Sequence, residues 1–232
     1  MRPVIGISCY GERAAWGAWD VDAVVLHRAY VDALEASGAA VVVVPPVYDE
    51  PSVDAIVGRL DGIVIAGGAD LTDALATVLV YAPGADTWTA GPDLPAPRWH
   101  PMGVADASGA PVVIGGLATL DATQPLADVL ALVGGAWVPR TSMPTARGGC
   151  SLAVIDGVVY CAGGEAGGTV IRATEGYDLA ADTWAALPDL PLRRGGTGGA
   201  ARDGRLVVAG GAHKYAWEPT DDVDLYDPAA PM

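Results

Sequence analysis

Phenylalanine is missing from this 232-residue chain, lysine occurs once, at Lys214, and cysteine and histidine occur three times each. Each shortage excludes something. Thirteen Lys and Arg stand against 28 Asp and Glu, a formal net charge of −15, and the chain is acidic on both sides of residue 75. With no basic face to meet a polyanion, nucleic acid and anionic membranes are excluded as partners. No apolar run reaches the roughly 18 residues that span a bilayer. The Cys and His residues show no CxxC or HxxxH spacing, so no metal site and no cofactor is expected. Met-Arg-Pro leads directly into an apolar stretch without the charged lead and apolar core of a secretory signal, which predicts a cytoplasmic protein with reduced thiols. The preference for Ala, Gly, Val, Asp and Arg suits a GC-rich bacterial source.

What the chain does contain is a repeat. Paired glycines fall at Gly67-Gly68, Gly115-Gly116, Gly163-Gly164 and Gly210-Gly211, a period of 47 to 48 residues. A second series runs in register with them. Trp88, Trp137 and Trp184 are each followed ten residues later by an arginine, Arg98, Arg147 and Arg194, at the end of a Pro-containing turn. Tyr81 and Tyr177 precede their Trp by seven residues, and Tyr226 occupies the same place in the last unit.

The apolar runs PVVIGG, VVYCAGG and LVVAGG predict inner strands of small antiparallel sheets stacked side by side. Their terminal glycines let the backbone approach a neighbouring sheet where a side chain would clash. The recurrent Trp and Tyr fill the wedge between sheets, burying area that a thin four-stranded unit cannot otherwise supply. From about Ala74 to Met232, strings such as YAPGADTWTAGPDLPAPR and YDLAADTWAALPDLPLRR resemble kelch repeats. The resemblance implies a partial β-propeller of about 3.5 blades, with residues 74–232 as one domain. It also implies that the Gly, Tyr, Trp and Arg marks are packing devices, and that any protein or small-molecule ligand meets the loops at one face.

The first 73 residues follow different rules. VIGIS and AAVVVV predict buried strands, WDVDAVVLHRAYVDALEASG an amphipathic helix with Val24, Leu26, Tyr30, Val31 and Leu34 on one side, PSVDAIVGRL a second helix, and GIVIAGG a third strand. Strands this uniformly apolar belong in a parallel sheet covered on both faces. The strings RPVIGISCYGERAAWGAWDVDAVVLHRAYVDALEASGAAVVVVPP and LDGIVIAGGADL resemble class I glutamine amidotransferase-like proteins, and more closely the gamma-glutamyl-gamma-aminobutyrate hydrolases. That resemblance implies a truncated, three-stranded, flavodoxin-like α/β domain over residues 1–73. It also implies a Cys nucleophile at an elbow, a His with a carboxylate partner, and an oxyanion hole taking one N–H from the glycine-rich strand end. Of this machinery only Gly67 and Gly68 are present, a vestigial oxyanion element.

No Gly-x-Cys-x-Gly elbow occurs. Cys9, Cys150 and Cys161 are expected to be small buried hydrophobes, Cys150 at the start of an outer strand. His27, His100 and His213 stand beside no Cys in the sequence. The acidic stretch from Glu218 to Asp227, with Asp221, Asp222 and Asp224, is expected to be a solvated loop rather than a Ca²⁺ site. Galactose oxidase-like copper chemistry is not expected.

Counting strands predicts two complete units, a third lacking its last strand, and a leading half-unit. The open edges would seek another strand, by pairing with a second copy or by resting on the α/β piece. The expected function is a non-catalytic interaction module with a vestigial amidotransferase-like segment, or a chimera joined at the shared Asp-Gly-apolar-Gly-Gly string. The alternative is gamma-glutamyl amide hydrolysis with Cys9 or Cys150 recruited as nucleophile.

Overall fold

The computed structural model describes residues 63–70, 72–82, 84–85, 87–214 and 220–229, together with the backbone of four strands nearer the N-terminus. These four are β1 (Val4–Ser8), β2 (Tyr10–Trp16), β3 (Trp19–Val25) and β4 (Ala40–Val44). β1 and β4 pair in parallel, Val4 opposite Ala40 through Ser8 opposite Val44, as two apolar runs of an α/β sheet would. β2 and β3 form an antiparallel pair, Tyr10 opposite Val25 through Trp16 opposite Trp19.

That second pair corrects the helix expected to begin near Trp19. In WDVDAVV the residues Trp19, Val21, Ala23 and Val25 alternate with Asp20 and Asp22, a period of two that competes with the helical spacing drawn through Val24. Leu26, Tyr30, Val31 and Leu34, the second helix, His27 and Cys9 lie outside the described residues.

β5 (Ile63–Ala66) departs from the sequence reading as well. It pairs antiparallel with β6 (Val78–Ala82), which pairs with β7 (Thr87–Ala90), so the expected third strand of the parallel sheet belongs to the first antiparallel sheet. Gly67 explains the choice. Its N–H reaches the Thr77 carbonyl at 2.9 Å, and Gly68 N–H reaches the Arg98 carbonyl at 2.8 Å, so this strand end is held by the loop that follows the first sheet.

The next two sheets are four-stranded. One contains β8 (Met102–Ala105), β9 (Pro111–Leu117), β10 (Pro125–Val133) and β11 (Ala136–Arg140) in sequential order. The next begins with β12 (Ser151–Ile155) and β13 (Val158–Ala162). A two-residue-per-strand hairpin, β14 (Glu165–Ala166) and β15 (Thr169–Val170), interrupts it before β16 (Thr174–Asp178) and β17 (Thr183–Leu187) complete it. The last sheet is β18 (Gly198–Arg202), β19 (Arg205–Ala209) and β20 (Val223–Tyr226). The sequence reading gave the leading unit only half its strands; here it has three, because β5 joins it. Asp156-Gly157 and Asp203-Gly204 make the tight connections within the third and fourth sheets, all four residues at positive φ as a two-residue hairpin of right-handed strands requires.

Each apolar core lies between consecutive sheets. Val78, Leu94, Val113 and Leu130 fill the first interface. Ile114, Val129, Val159, Cys161 and Tyr177 are among those filling the second, and Tyr160, Leu190, Leu206 and Val208 among those filling the third. Burying a side chain of this size contributes about 1.5–3 kcal/mol, so each thin sheet depends on its neighbours for stability. β8, β12 and β18, the first strands of successive sheets, pack against one another. The glycine-ended strands β9, β13 and β19 are therefore second in their sheets, bonded on both sides, and the first strands form the inner line.

Candidate functional site

The repeated marks converge on one device. A Cβ on Gly67 would stand 2.6 Å from the Arg98 carbonyl oxygen, and Gly115 and Gly163 meet the Arg147 and Arg194 carbonyls more closely still, all three at positive φ. The second glycine then donates to that carbonyl, Gly116 to Arg147 at 3.0 Å and Gly164 to Arg194 at 2.9 Å. With its carbonyl gripped by its own sheet, each arginine sends its guanidinium into the next one. Arg98 makes two bonds to Asp128 (3.1 and 2.7 Å) and one to the Gly115 carbonyl (3.1 Å). Arg147 donates to Glu175 at 2.7 Å and to the Cys161 carbonyl at 3.1 Å. Arg194 pairs with Asp224 and donates to the Asp222 carbonyl at 2.8 Å. All three arginines are completely buried. Burial pulls the Arg147 guanidinium below its ordinary range and Glu175 opposes this; burial acts the same way on Arg194.

The acids of this clamp were not found from the sequence. Asp128, Glu175 and Asp224 form their own series, and Glu175 and Asp224 sit two residues before Tyr177 and Tyr226. The signal is split between Asp and Glu, and Leu130 takes the Tyr place after Asp128. Asp224 and Asp222 lie in the stretch expected to be a solvated acidic loop. The structure assigns them partners instead: Asp224 meets Arg194, Asp222 meets His213 at 3.0 Å, and Asp227 meets Arg205 at 2.9 Å. Glu218 lies outside the described residues, and no group of three metal-ligating side chains occurs among the described residues.

The aromatic marks also work between sheets. Trp137 Nε1 donates to the Pro92 carbonyl (2.7 Å) and Trp184 Nε1 to the Thr141 carbonyl (2.9 Å), each reaching back to the preceding sheet's outer segment. Trp88, in the first sheet, is exposed, although its ring lies 5.1 Å from Tyr81. Tyr177 stacks on Trp184 at 4.8 Å and donates to Asp182 at 2.6 Å. Burial, then the bond to Asp182, raises the Tyr177 phenol far above its usual value; that bond is also the main cause lowering Asp182. Tyr226 is half-buried against Tyr160.

Cys150 and Cys161 are joined in a disulfide, which corrects the expectation of reduced thiols at these positions. The register accounts for it. Cys161 is opposite Leu152, and Cys150 lies two residues before Leu152 on the same face, so the two Cβ atoms are diagonal neighbours with Cα atoms 5.9 Å apart. Cys150 leads into β12, on the inner line, rather than into an outer strand. Neither sulfur is available as a nucleophile, and Gly67 and Gly68 point their amides at Thr77 and Arg98.

A second site appears where the first strands begin. His100, Gly149 and Gly196, each two residues past a clamp arginine, share a left-handed backbone with φ of 47°, 61° and 62°. Gly149 N–H donates to the His100 carbonyl (3.0 Å) and Gly196 N–H to the Gly149 carbonyl (3.1 Å), forming a backbone arc. His100 Nδ1 lies 3.3 Å from Glu165 Oε2, and the ring lies against that of Trp99, tilted, with centroids 3.9 Å apart. Trp99 is anchored by Nε1 to the Thr119 carbonyl at 2.7 Å. A cavity of about 410 Å³ opens beside them, lined by the starts of all three strands, among them His100, Pro101, Gly149, Cys150, Gly196 and Thr197. The sequence carried the signal at the first of its three arginine marks: Arg98-Trp99-His100 stands where the other units read Arg147-Gly148-Gly149 and Arg194-Gly195-Gly196.

Comparison with known proteins agrees with the two resemblances. Residues 3–78 match the Peptidase C26 family and residues 146–191 match the Kelch motif. The N-terminal stretch is 36% identical over 74 residues to the Mycobacterium tuberculosis protein named "Putative glutamine amidotransferase Rv2859c"; the match takes in 32% of this chain and only 24% of that protein. Among solved structures the fold is similar to that of YjhT, with a TM-score of 0.62 at 15% identity over 75% of this chain and 68% of the other. The chain thus carries a glutamine amidotransferase-like segment and kelch sequence on a set of stacked antiparallel sheets of propeller type.

Proposed function

We propose that this protein is a kelch-type interaction module, residues 74–232, that binds a protein or small-molecule ligand through the loops at the inner face, with the amidotransferase-like segment of residues 1–73 carried as a vestige. The carrying observation is the fate of the hydrolase parts. The glycine-rich strand end that would line an oxyanion hole serves as the anchor of the first arginine clamp, its Gly68 amide given to the Arg98 carbonyl. A recombination at the shared Asp-Gly-apolar-Gly-Gly string accounts for a strand that suits both families, and the open edges of the three-stranded sheets suit pairing with a second copy.

The test is enzymatic. Incubation with gamma-glutamyl-p-nitroanilide should give no release above buffer, whereas release that disappears on Cys9→Ser would establish the alternative, gamma-glutamyl amide hydrolysis. The Peptidase C26 match is the observation in favour of that alternative. Cys9 is the thiol left to it, because Cys150 is bonded to Cys161. The proposal includes the cytoplasm as compartment. The Cys150–Cys161 disulfide stands against it, since disulfides are rare in reducing compartments, and counting free thiols on protein quenched directly from cells decides: three free thiols support the cytoplasm and one removes it. Light scattering at micromolar concentration tests the second copy, and a monomeric mass removes it.

A further inference from the structure

The repeat supplies its own internal reference. Each residue after the clamp arginine bridges to the residue that follows the next glycine pair: Trp99 to Leu117, Gly148 to Glu165 and Gly195 to Ala212. Leu117, Glu165 and Ala212 are therefore equivalent, and two are apolar while the third is a carboxylate, buried. At the arc, His100 stands where the equivalent residues are Gly149 and Gly196, and it holds a left-handed φ that costs glycine nothing but costs a residue with a Cβ about 1 kcal/mol or more. Both departures work against stability, one by backbone strain and one by desolvating a charge. They meet at 3.3 Å.

Independent drift at two places would not aim the two side chains at one another. The other interface acids, Asp128, Glu175 and Asp224, are each neutralised by a clamp arginine, whereas among the described residues Glu165 is met by an imidazole. With Nδ1 facing Glu165, Nε2 is the polar atom of the ring left for another partner. The Trp99 ring packs against the imidazole at 3.9 Å. His100 keeps 41% of its side chain accessible, and it lines the 410 Å³ cavity.

We propose that this cavity is a binding site for a small primary ammonium compound, which donates to His100 Nε2 while the Glu165 carboxylate behind the ring supplies the opposite charge. A cation is favoured over a neutral donor because Glu165 is a buried carboxyl group that no arginine or lysine meets among the described residues. Thr197 and the glycine backbone give the lining a polar part, and Pro101, Met102 and Leu152 an apolar part, suited to a ligand of a few heavy atoms. The inference rests on reading the repeats as an interaction module and names the ligand class of that module.

The experiment follows the His100 imidazole resonances by NMR on the full chain during titration with ethanolamine, with ethylene glycol as the neutral counterpart of equal size. A saturable shift with ethanolamine is expected; read by calorimetry, the affinity is weaker by about tenfold or more in Glu165→Leu, and no binding is found in His100→Gly. Both variants install the residue type found at the equivalent places, so they should melt at or above the wild-type temperature. An equal response to ethylene glycol, a shift linear in ethanolamine, or a His100→Gly variant that melts well below wild type would each overturn the proposal. Gamma-glutamyl hydrolysis would remove the module reading and leave this titration unaffected, so the two failures are distinguishable.

Discussion

The second and first sheet interfaces use the same clamp under different conditions. At the second, Arg147 and Glu175 are both enclosed, with side-chain exposures of 0% and 6%, and Arg147 also holds the carbonyl of the disulfide residue Cys161. At the first, Arg98 is as deeply buried, but its partner Asp128 is 38% exposed. The bonds are of similar length, so geometry alone would rate the two clamps alike. What separates them is what is left behind when the arginine is removed. A stranded Glu175 has no water to turn to, whereas Asp128 does. A repeat can therefore place one device at several interfaces and obtain rigid and compliant joints from it.

The largest effect should come from breaking the enclosed clamp. Arg147→Ala is expected to cost about 3–5 kcal/mol, read as a drop in the urea midpoint at unchanged slope; a loss no larger than that of Arg98→Ala would dissolve the distinction. Next comes the cross-link beside it. Closing the loop between Cys150 and Cys161 contributes about 3 kcal/mol in the chain-entropy account, so Cys150→Ala with Cys161→Ala should lower stability by that order, and a reductant should do the same to the wild type while leaving the double variant unmoved. Arg98→Ala should cost less, about 1–2 kcal/mol, and lose little more when Asp128 is also replaced by Asn.

The smallest effect is electrostatic and lies on the outer side of the second interface. Asp182 is held below the ordinary carboxylate range, chiefly by the Tyr177 hydroxyl and then by the Thr141 amide. A depressed folded-state value means that the unfolded chain binds the proton first as pH falls, so the contribution of Asp182 is complete above its unfolded value and disappears as pH drops through the folded one. Thermal melts of wild type from pH 7 down to pH 3 should therefore slope more steeply than those of Asp182→Asn. Parallel curves would show that the Tyr177 bond does not couple folding to pH.

Much of the architecture is legible in the sequence. The glycine pairs, the Trp positions and the arginines sit at repeat spacing because each meets a steric or hydrogen-bonding demand that one residue type satisfies best. The acids of the clamp were hidden because either Asp or Glu reaches the guanidinium, and because Leu130 interrupts the Tyr series that would have flagged Asp128. His100 is marked in the sequence as a departure from the Arg-Gly-Gly of the other two units, but nothing there joins it to Glu165, 65 positions away.

Sequence alone determined the period, the two families resembled and the missing catalytic elbow, since these depend on local spacing and residue type. Only the tertiary structure decided which sheet claims Ile63–Ala66, that Cys150 and Cys161 bond, and that a histidine and a glutamate from different units face each other. A short apolar strand ending in two glycines satisfies a parallel or an antiparallel neighbour equally well in its own residues. The partner that supplies the hydrogen bonds makes the difference, and that partner is distant in the chain.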